Sequence, residues 1–342
     1  MDRRDKHSHD VGDVDAAVAA VRDGNQSEFG RLANQYRQEL QVHCYRLLGS
    51  YVDAEDHVQD TMLRAWQHRA SFQGRSTFRA WLYRIATNAC LDTLRRHPER
   101  VVPIGDPSGP APSEISWLQP YPDRGLDRAL AAEDQPDALV VAKETIELAF
   151  LAAIHLLPPN QRAVLILRDV LGWPASETAS LLDTSTASVT SALQRARATL
   201  QYHRPAPSQD WSPSTPPSAS EHALLQRYMD AHERADPAAV VALLQEDVRF
   251  TMPPEPTCYQ GRDAVAAFFA DALGASRVGD FRLVATRANR QPAAANYLRA
   301  WGDSVYRAMS LDVLQFDHGQ LVEITTFVPA LFPAFGLPMT LS

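Results

Sequence analysis

The stretch WPASETASLLDTSTASVTSALQRARATL, residues 173–200, spaces its apolar residues as two helices joined by a short turn, yet it carries only two basic side chains, Arg195 and Arg197. Trp173 and Pro174 open a short helix running to Leu182, the polar residues 183–185 make the turn, and Thr184 or Ser185 is available to cap a second helix from Thr186. On that second helix Val189, Leu193, Ala196 and Leu200 recur at i, i+4, i+7 and i+11 and form a buried stripe. The outward face is then Ala187, Ser191, Gln194, Arg195 and Ala198, flanked by Ser188, Thr190 and Arg197. Hydroxyls near the start of such a helix reach phosphates or base edges, and arginines further along clamp a backbone. A helical hairpin used only for packing has the same periodicity, so these residues by themselves leave both uses open.

The whole chain narrows the choice. Its 342 residues favour two or three domains, and its formal net charge of −8 argues against coating nucleic acid indiscriminately, so any DNA contact must come from a local basic patch. Cys44, Cys90 and Cys258 are widely separated and form no CxxC pair, which suggests buried thiols, with no metal site and no cofactor expected. The opening MDRRDKHSHDVGDVD is polar and no run of about 18 apolar residues occurs, so no membrane partner is expected and the cytoplasm is the expected compartment.

Two stretches read as linkers. Residues 98–136 hold eight prolines, whose missing N–H and fixed φ exclude regular helix, and residues 204–220 combine proline with serine and have little to bury. They separate three folded units at about 14–97, 137–203 and 221–342.

In the first unit, DAEDHVQDTMLRAWQHR places Val58, Met62, Ala65 and Arg69 on one helical stripe with Trp66 beside it. Asp53, Asp56, Asp60 and Gln67 fall opposite, and Leu63 sits among these acids. A charged face is usually only solvated, but an apolar knob within it fits a docking surface better. Between Arg69 and Arg100 seven arginines face two acids, with Phe72, Phe78, Trp81 and Tyr83 among them. That mixture suits single-stranded nucleic acid, with cations for phosphates and rings for unstacked bases, and equally suits an amphipathic helix with a core aromatic face.

The third unit changes character. Helical patterns at 221–235, 237–245 and 262–273 give way to β-rich runs at 280–289, 294–302, 304–319 and 320–328, the third ending in the turn residues DHG. Helices followed by a run of antiparallel strands indicate an α+β domain.

The helix-turn-helix stretch resembles region 4.2 of sigma-70 family factors, especially the extracytoplasmic function group. The resemblance rests on Trp173, Glu177, Ala179, Leu181, Leu182, Ser185, Ser188, Val189, Leu193, Arg195, Ala196 and Arg197, and LLPPNQRAVLILRDVLG upstream is similar to region 4.1. DAEDHVQDTMLRAW resembles region 2.2, and STFRAWLYRIATNACLDTLRR resembles regions 2.3 and 2.4. YMDAHERADPAAVVALLQEDVRFTMPPEPTCYQGRDAVAAFF resembles a SnoaL-like domain, a cone of helices on a curved antiparallel sheet, with Asp236 ending its first helix, Asp247 preceding its first strand and Gly261 preceding its third helix. Sigma factors with this appendage form a subgroup, of which WLQPYPD at 117–123 and the tail FPAFGLPMTL at 332–341 look like marks.

The resemblance implies a multidomain fold: region 2 as an all-α bundle at 14–97, region 4 at 137–203, and the α+β cone with its tail at 221–342. It implies core RNA polymerase and promoter DNA as partners, with docking on the β′ clamp helices through Asp53, Asp56, Gln59, Asp60 and Leu63 and on the β flap through region 4. It implies capture of a flipped base and of the non-template strand at the −10 element by Ser71, Arg75, Thr77, Arg79, Trp81, Arg84 and Asn88. The −35 element would be read by Ser185, Ser188, Thr190, Ser191, Gln194, Arg195 and Arg197. Family members often carry Lys or Arg where this chain has Thr190 and Ala192, so region 4 is expected to bind DNA weakly by itself and to depend on tethering through polymerase.

A cone also encloses a pocket for a small ligand, with Asp230, His232, Asp312 and His318 as acid-base candidates by residue type and Tyr297, Arg299, Trp301 and Arg307 as further lining. The leading expectation is a transcription initiation factor regulated by its own C-terminal domain, which packs against the apolar linker stretch and tail, and not an enzyme. The alternatives are a cone-fold isomerase or hydrolase fused to DNA-binding helices, and a plain repressor, which leaves the acidic docking helix unexplained.

Overall fold

The computed structural model describes residues 24–72, 77–100, 115–130, 146–203 and 219–342. Two compact units divide them, one from the described parts of Met1–Glu99, Arg128–Asp134 and Pro158–Arg197, the other from those of Arg100–Asp127, Gln135–Leu157 and Ala198–Ser342.

The first unit is all-α. Helices α1 (Gln26–Leu48), α2 (Tyr51–Gln67) and α3 (Phe78–Arg96) are each started by a side-chain cap: Asn25 accepts from the Glu28 N–H, Ser50 from Asp53 and Thr77 from Ala80. Gly49, at φ 73°, ends α1 in the left-handed conformation and turns the chain directly into α2. Leu40, Tyr45, Leu47, Ala54, Val58, Leu82, Tyr83, Ala86 and Leu94 fill the core between these helices.

The second part of the unit is α6 (Pro159–Leu165), a widened turn at Ile166–Val170, α7 (Ala175–Leu181) and α8 (Thr186–His203). The turn between α7 and α8 passes through Asp183 at φ 53°, a conformation that Asp tolerates better than most residues. α6 packs on α1 and α3, where fully buried Arg162 donates from Nη1 to the Leu47 carbonyl at 2.7 Å, at the partly negative end of α1. Burial lowers the Arg162 pKa to about 9. The Trp173 ring lies 5.2 Å from Tyr83.

His43, buried on α1, contacts the Thr87 hydroxyl at 2.8 Å and lies 4.8 Å from the Tyr83 ring. Burial first, then the charges of Arg46 and Arg79, push its pKa down to about 3. The unfolded chain takes up this proton below about pH 6.5 and the folded one does not, so the stabilisation is complete above that pH and is lost as pH falls toward 3. Between pH 7 and pH 5 the protein should lose about 2 kcal/mol through this residue, read as the difference between wild type and His43→Gln in urea unfolding at the two pH values. Equal losses in both would dismiss His43 as the source.

The second unit is α+β. α4 (Asp123–Leu130) and α5 (Leu148–His155) precede α9 (Ala219–Glu233), α10 (Pro237–Val241) and α11 (Arg262–Leu273). The strands are β1 (Leu244–Thr251), β2 (Cys258–Gln260), β3 (Gly279–Ala288), β4 (Gln291–Ala300), β5 (Tyr306–Asp317), β6 (Gln320–Phe327) and β7 (Thr340–Leu341). They form one sheet ordered β2-β1-β6-β5-β4-β3, with β7 on β5. Tyr228, Val240, Leu244, Phe250, Val265, Phe269, Leu283, Ala294, Leu314 and Ile324 form the core under the helices.

Four expectations are corrected here. The sheet is not wholly antiparallel, because β1 and β6 run parallel, joined by a long crossover through β2, α11 and β3 to β5 rather than by a hairpin. Asp236 does not end α9; its carboxylate accepts from the Ala239 N–H and starts α10. The second helix of this unit, expected at 237–245, stops at Val241, because Leu244 already belongs to β1. The linker 98–136 is not free of regular helix, because α4 (Asp123–Leu130) forms in its proline-free part after Pro122. The tail forms a turn of helix α12 (Phe332–Phe335) and then β7.

That tail covers the other face of the sheet. Phe332 is fully buried with its ring 5.3 Å from Tyr297, whose hydroxyl donates to the Pro338 carbonyl at 2.9 Å. The connector stretch expected to pack does so within this same unit. Tyr121 is fully buried, Pro122 forms an antiparallel bridge with Ala288, and Arg124 donates to the carbonyls of Pro333 and Ala334. Gly336 lies there at φ 74°, in the left-handed region where any side chain would be strained, with the Arg124 guanidinium packed against its open side.

Candidate functional site

On α2 the buried stripe is Ala54, Val58, Thr61 and Ala65, and the opposite face carries the expected docking residues. Asp56, Gln59 and Leu63 are exposed, while Asp53 and Asp60 are half-buried. Leu63 is 55% exposed, and Val52, which composition did not single out, is 43% exposed. Residues 52, 56, 59 and 63 follow i, i+4, i+7 and i+11, so the same spacing that marks core stripes would have found Val52. Asp60 pairs with Arg64 at 2.8 Å along the helix, and the His57 ring, bonded to the Asp53 carbonyl at 2.7 Å and the Thr93 hydroxyl at 2.9 Å, fixes α2 against α3.

The basic-aromatic segment divides into core and surface. Phe72, Phe78 and Tyr83 are buried, and the rings of Phe72, Phe78 and Trp81 pack edge-on or tilted at 5.3 to 5.8 Å centroid distances. Arg79 is committed to the fold: its guanidinium makes three hydrogen bonds of 2.7 to 3.0 Å to the Glu39 carboxylate on α1 and lies 5.1 Å from the Tyr83 ring. Arg84 and Asn88 project from α3 one turn apart, both exposed, with half-buried Trp81 beside them. Ser71 is exposed and its hydroxyl donates to the His68 carbonyl at 2.7 Å, while Thr77 caps α3. Arg75 lies outside the described residues.

On α8 the buried positions are Val189, Ala192, Leu193 and Ala196. Ala192 therefore faces inward, and a basic residue there would point into the core. Of the two basic positions thought lost from this helix only Thr190 is on the surface, where its hydroxyl donates back to the Thr186 carbonyl at 3.0 Å. Ser185 caps the helix, accepting from the Ser188 N–H at 3.1 Å. Arg197 is held by two hydrogen bonds to Asp169, at 2.9 and 2.7 Å. Ser188, Ser191, Gln194 and Arg195 make up the remaining exposed face.

Inside the cone, Asp312 is buried and accepts from Tyr228 Oη at 2.9 Å, Asn296 Nδ2 at 2.6 Å and Thr326 Oγ1 at 2.7 Å. The His232 ring lies tilted 4.2 Å from that of Tyr228 and bonds the Tyr228 carbonyl through Nδ1; burial lowers its pKa, against the opposing charge of Asp312. Three donors from different elements hold this carboxylate, so the cluster fastens α9 to β4, β5 and β6. Asp230 instead accepts from Gln226 on the helix surface, and His318 sits at φ 46° in the turn after β5. Tyr228, Asn296 and Thr326 were not anticipated, because their partners come from distant strands.

Among the described residues no group of His, Cys, Asp and Glu could hold a metal ion, and no helix is long and apolar enough to cross a membrane.

Three family models match the chain in order: sigma-70 region 2 at residues 32–99, sigma-70 region 4 at 147–200 and the SnoaL-like domain at 225–324. The chain is 41% identical to the ECF RNA polymerase sigma factor SigG of Mycobacterium tuberculosis, over 96% of this chain and 90% of that protein. It is 31% identical to the ECF RNA polymerase sigma factor SigJ of the same organism, over 71% of each. The crystal structure of M. tuberculosis SigJ superposes with a TM-score of 0.54 at 23% identity, covering 91% of this chain and 99% of that one.

Proposed function

The chain belongs to the extracytoplasmic function sigma factors of the sigma-70 family that carry a SnoaL-like domain, and from that premise we propose how its surfaces divide the work. It is an alternative sigma factor, acting with core RNA polymerase on promoter DNA; the likeness to SigG over nearly its whole length sets aside a cone-fold enzyme fused to DNA-binding helices. Its place of work in this reading is the cytoplasm, with the polymerase.

The α2 face of Val52, Asp53, Asp56, Gln59, Asp60 and Leu63 docks on the β′ clamp helices, and region 4 reaches the β flap. Arg84 and Asn88 track the separated −10 strand beside Trp81, and the loop containing Ser71, Arg75 and Thr77 takes the flipped base. Arg79 supports this surface through Glu39 without needing to touch DNA. The −35 element is read by Ser188, Ser191, Gln194 and Arg195, with Ser185 and Thr190 shaping the helix start. With Arg197 shared with Asp169, few free cations remain for phosphates, which supports weak duplex binding outside the holoenzyme.

The observation that carries the melting assignment is the exposure of Arg84 and Asn88 one turn apart on α3, beside an Arg79 that is committed to Glu39. Alanine at both positions should reduce permanganate reactivity of −10 thymines at least about 10-fold while leaving duplex −35 binding unchanged. Undiminished melting would return α3 to the role of a packed amphipathic helix.

Regulation by the C-terminal domain is the second part of the reading. Asn289, fully buried in the β3–β4 turn, accepts from the Tyr121 N–H at 2.8 Å and donates to the Ile146 carbonyl at 2.6 Å, and its own N–H donates to the Tyr121 carbonyl at 2.9 Å. One cone residue thus grips the connector between regions 2 and 4 at two places 25 residues apart. In the other unit, Arg162 and Trp173 hold the helix-turn-helix part of region 4 on region 2. The −10 and −35 elements are separated by about 25 base pairs, or roughly 85 Å of duplex at 3.4 Å each, so both grips must yield on a promoter. Run-off transcription with core polymerase, comparing the full chain with one ended near His203, tests both parts: promoter-specific transcripts from neither would overturn the sigma assignment, and identical transcripts from both would overturn regulation by the cone.

A further inference from the structure

The helix-turn-helix part presents no net charge to the surface. Between Pro159 and Tyr202 its charged residues are Arg162, Arg168, Arg195 and Arg197 against Asp169, Glu177 and Asp183. Arg162 is fully buried on the Leu47 carbonyl, so three arginines balance three acids, and all six of these are exposed or half-buried. Sequence-independent attraction to phosphates is what holds most DNA-binding proteins on a duplex, and a balanced surface lacks it. The disposition of each remaining cation therefore decides how well this part binds DNA.

Two of the three are already engaged within the fold. Arg168 donates from Nη1 to the Trp173 carbonyl, across the widened turn Ile166–Val170. Asp169, the next residue of that turn, takes Arg197 side-on, accepting from Nε at 2.9 Å and from Nη2 at 2.7 Å. Thr190, Gln194 and Arg197 follow i, i+4 and i+7 along one side of α8, and only Arg197 among them is charged. This flank of the recognition helix thus has one cation, and a carboxylate holds it. The Arg197 side chain stays 57% exposed and that of Asp169 27%, so the pair sits at the solvent boundary, within reach of a phosphate.

We propose that Asp169 withholds Arg197 from DNA phosphates and so makes reading of the −35 element conditional on attachment to polymerase. This inference rests on the assignment of α8 as the −35 reader and names the residue that sets its affinity. A phosphate that takes Arg197 must replace a carboxylate already bound through two donors, and it brings its own negative charge beside the freed Asp169. The exchange offsets most of what a new cation–phosphate contact contributes. Free protein therefore gains little from this flank on any duplex, cognate or not. Within the holoenzyme, tethering supplies the missing free energy by making the −35 contact effectively intramolecular. Outside it, the protein stays off the large excess of unrelated genomic DNA.

The test titrates full-length protein onto a fluorescent duplex of random sequence, about 20 base pairs long, and onto one carrying the −35 element of a cognate promoter, from about 50 to about 200 mM salt. Asp169→Asn keeps the shape of the side chain and removes its charge. It should tighten binding to both duplexes about 10-fold at the lower salt and about 3-fold at the higher, steepening the logarithmic salt dependence by about 0.9, the amount due to one added phosphate contact. Asp169→Ala should do the same, with thermal unfolding of each variant checking that the turn survives. Asp169→Asn combined with Arg197→Gln should return to within about 2-fold of wild type, because it again offers no free cation on this flank. Unchanged salt dependence in both single variants would overturn the proposal. So would a gain that persists in the double variant, since it would belong to repulsion by the carboxylate alone, and so would weaker binding by Asp169→Asn, since Asp169 would then aim Arg197 at a phosphate. Failure of the underlying reading shows separately: holoenzyme transcription that ignores base changes in the −35 element removes α8 as its reader, while the random duplex still decides what Asp169 does.

Discussion

The double substitution Asp60→Lys with Leu63→Ala is expected to weaken binding to core RNA polymerase about 100-fold while leaving the protein folded. Leu63 is more than half exposed on a helix whose opposite stripe is buried, so its truncation costs the first unit little. An apolar side chain that becomes buried at the centre of an interface is typically worth about 2 kcal/mol, or some 30-fold in affinity. Reversing Asp60 adds repulsion wherever the partner surface is basic. Its helical pair with Arg64 is solvent-exposed and worth only a few tenths of a kcal/mol, so losing it does not threaten α2. The measurement is competition between wild-type and variant protein for a limiting amount of core enzyme, with thermal unfolding as the folding control. Equal competition by a folded variant would remove this face from polymerase docking, and Val52→Ala would then have no reason to act on the same assay.

The parts of the molecule legible in its sequence are those decided by neighbours three or four residues apart. The cap at Ser185 and the turn at residues 183–185 follow from side chains close along the chain, and the structure places them where the spacing indicates; of the expected stripes Val58 and Ala65 on α2 and Val189, Leu193 and Ala196 on α8 are buried, whereas Met62 and Leu200 are half-buried and Arg69 lies beyond the end of α2. Groups whose partners lie far along the chain were hidden. Arg79 looks like one more free cation until α1 brings Glu39 beside it, 40 residues away. Arg162 carries no pattern at all, yet it is fully buried and holds α6 on α1 through a carbonyl. Ala192 was misplaced for a related reason: it was compared by position with basic residues of relatives, while its neighbours Val189, Leu193 and Ala196 already put it on the inward side of α8.

The β3–β4 turn shows how tertiary contacts can stand in for turn chemistry. Two-residue hairpin turns of this kind need positive φ at both central residues and usually hold Asn-Gly. Here they are Asn289 at φ 54° and Arg290 at φ 66°. Arg is a poor choice for that conformation, so the hairpin signal in the sequence is weak. What compensates comes from the connector: Asp123 accepts from the Arg290 N–H, and Tyr121 pairs with Asn289 through two hydrogen bonds over 168 residues of separation. The turn and the connector stabilise each other, which is why neither could be read alone.

That mutual dependence makes Asn289 the residue where a single change should have the largest effect on the cone's hold. In Asn289→Ala two side-chain hydrogen bonds disappear, and the Tyr121 N–H and the Ile146 carbonyl lose partners inside the protein. Each loss should cost about 1 to 3 kcal/mol in a buried site, and alanine is also strained at this φ. Asn289→Gly removes the same two bonds but accepts the conformation, so the difference between the two variants isolates backbone strain from the grip itself. Both should leave the β-sheet intact, because β3 and β4 are paired in register along their whole length and the Asp312 cluster lies well away from the turn. Connector cleavage by a protease should rise at least about 30-fold in both, the factor corresponding to about 2 kcal/mol when opening is fast relative to cutting. If the grip restrains the sigma regions, transcription from a cognate promoter should rise with it in both variants, and more in alanine than in glycine. A connector that resists protease in Asn289→Gly as well as it does in wild type would mean that Tyr121, Pro122 and Asp123 hold without the asparagine, and the restraint would have to be sought at the Arg124 contact with the tail.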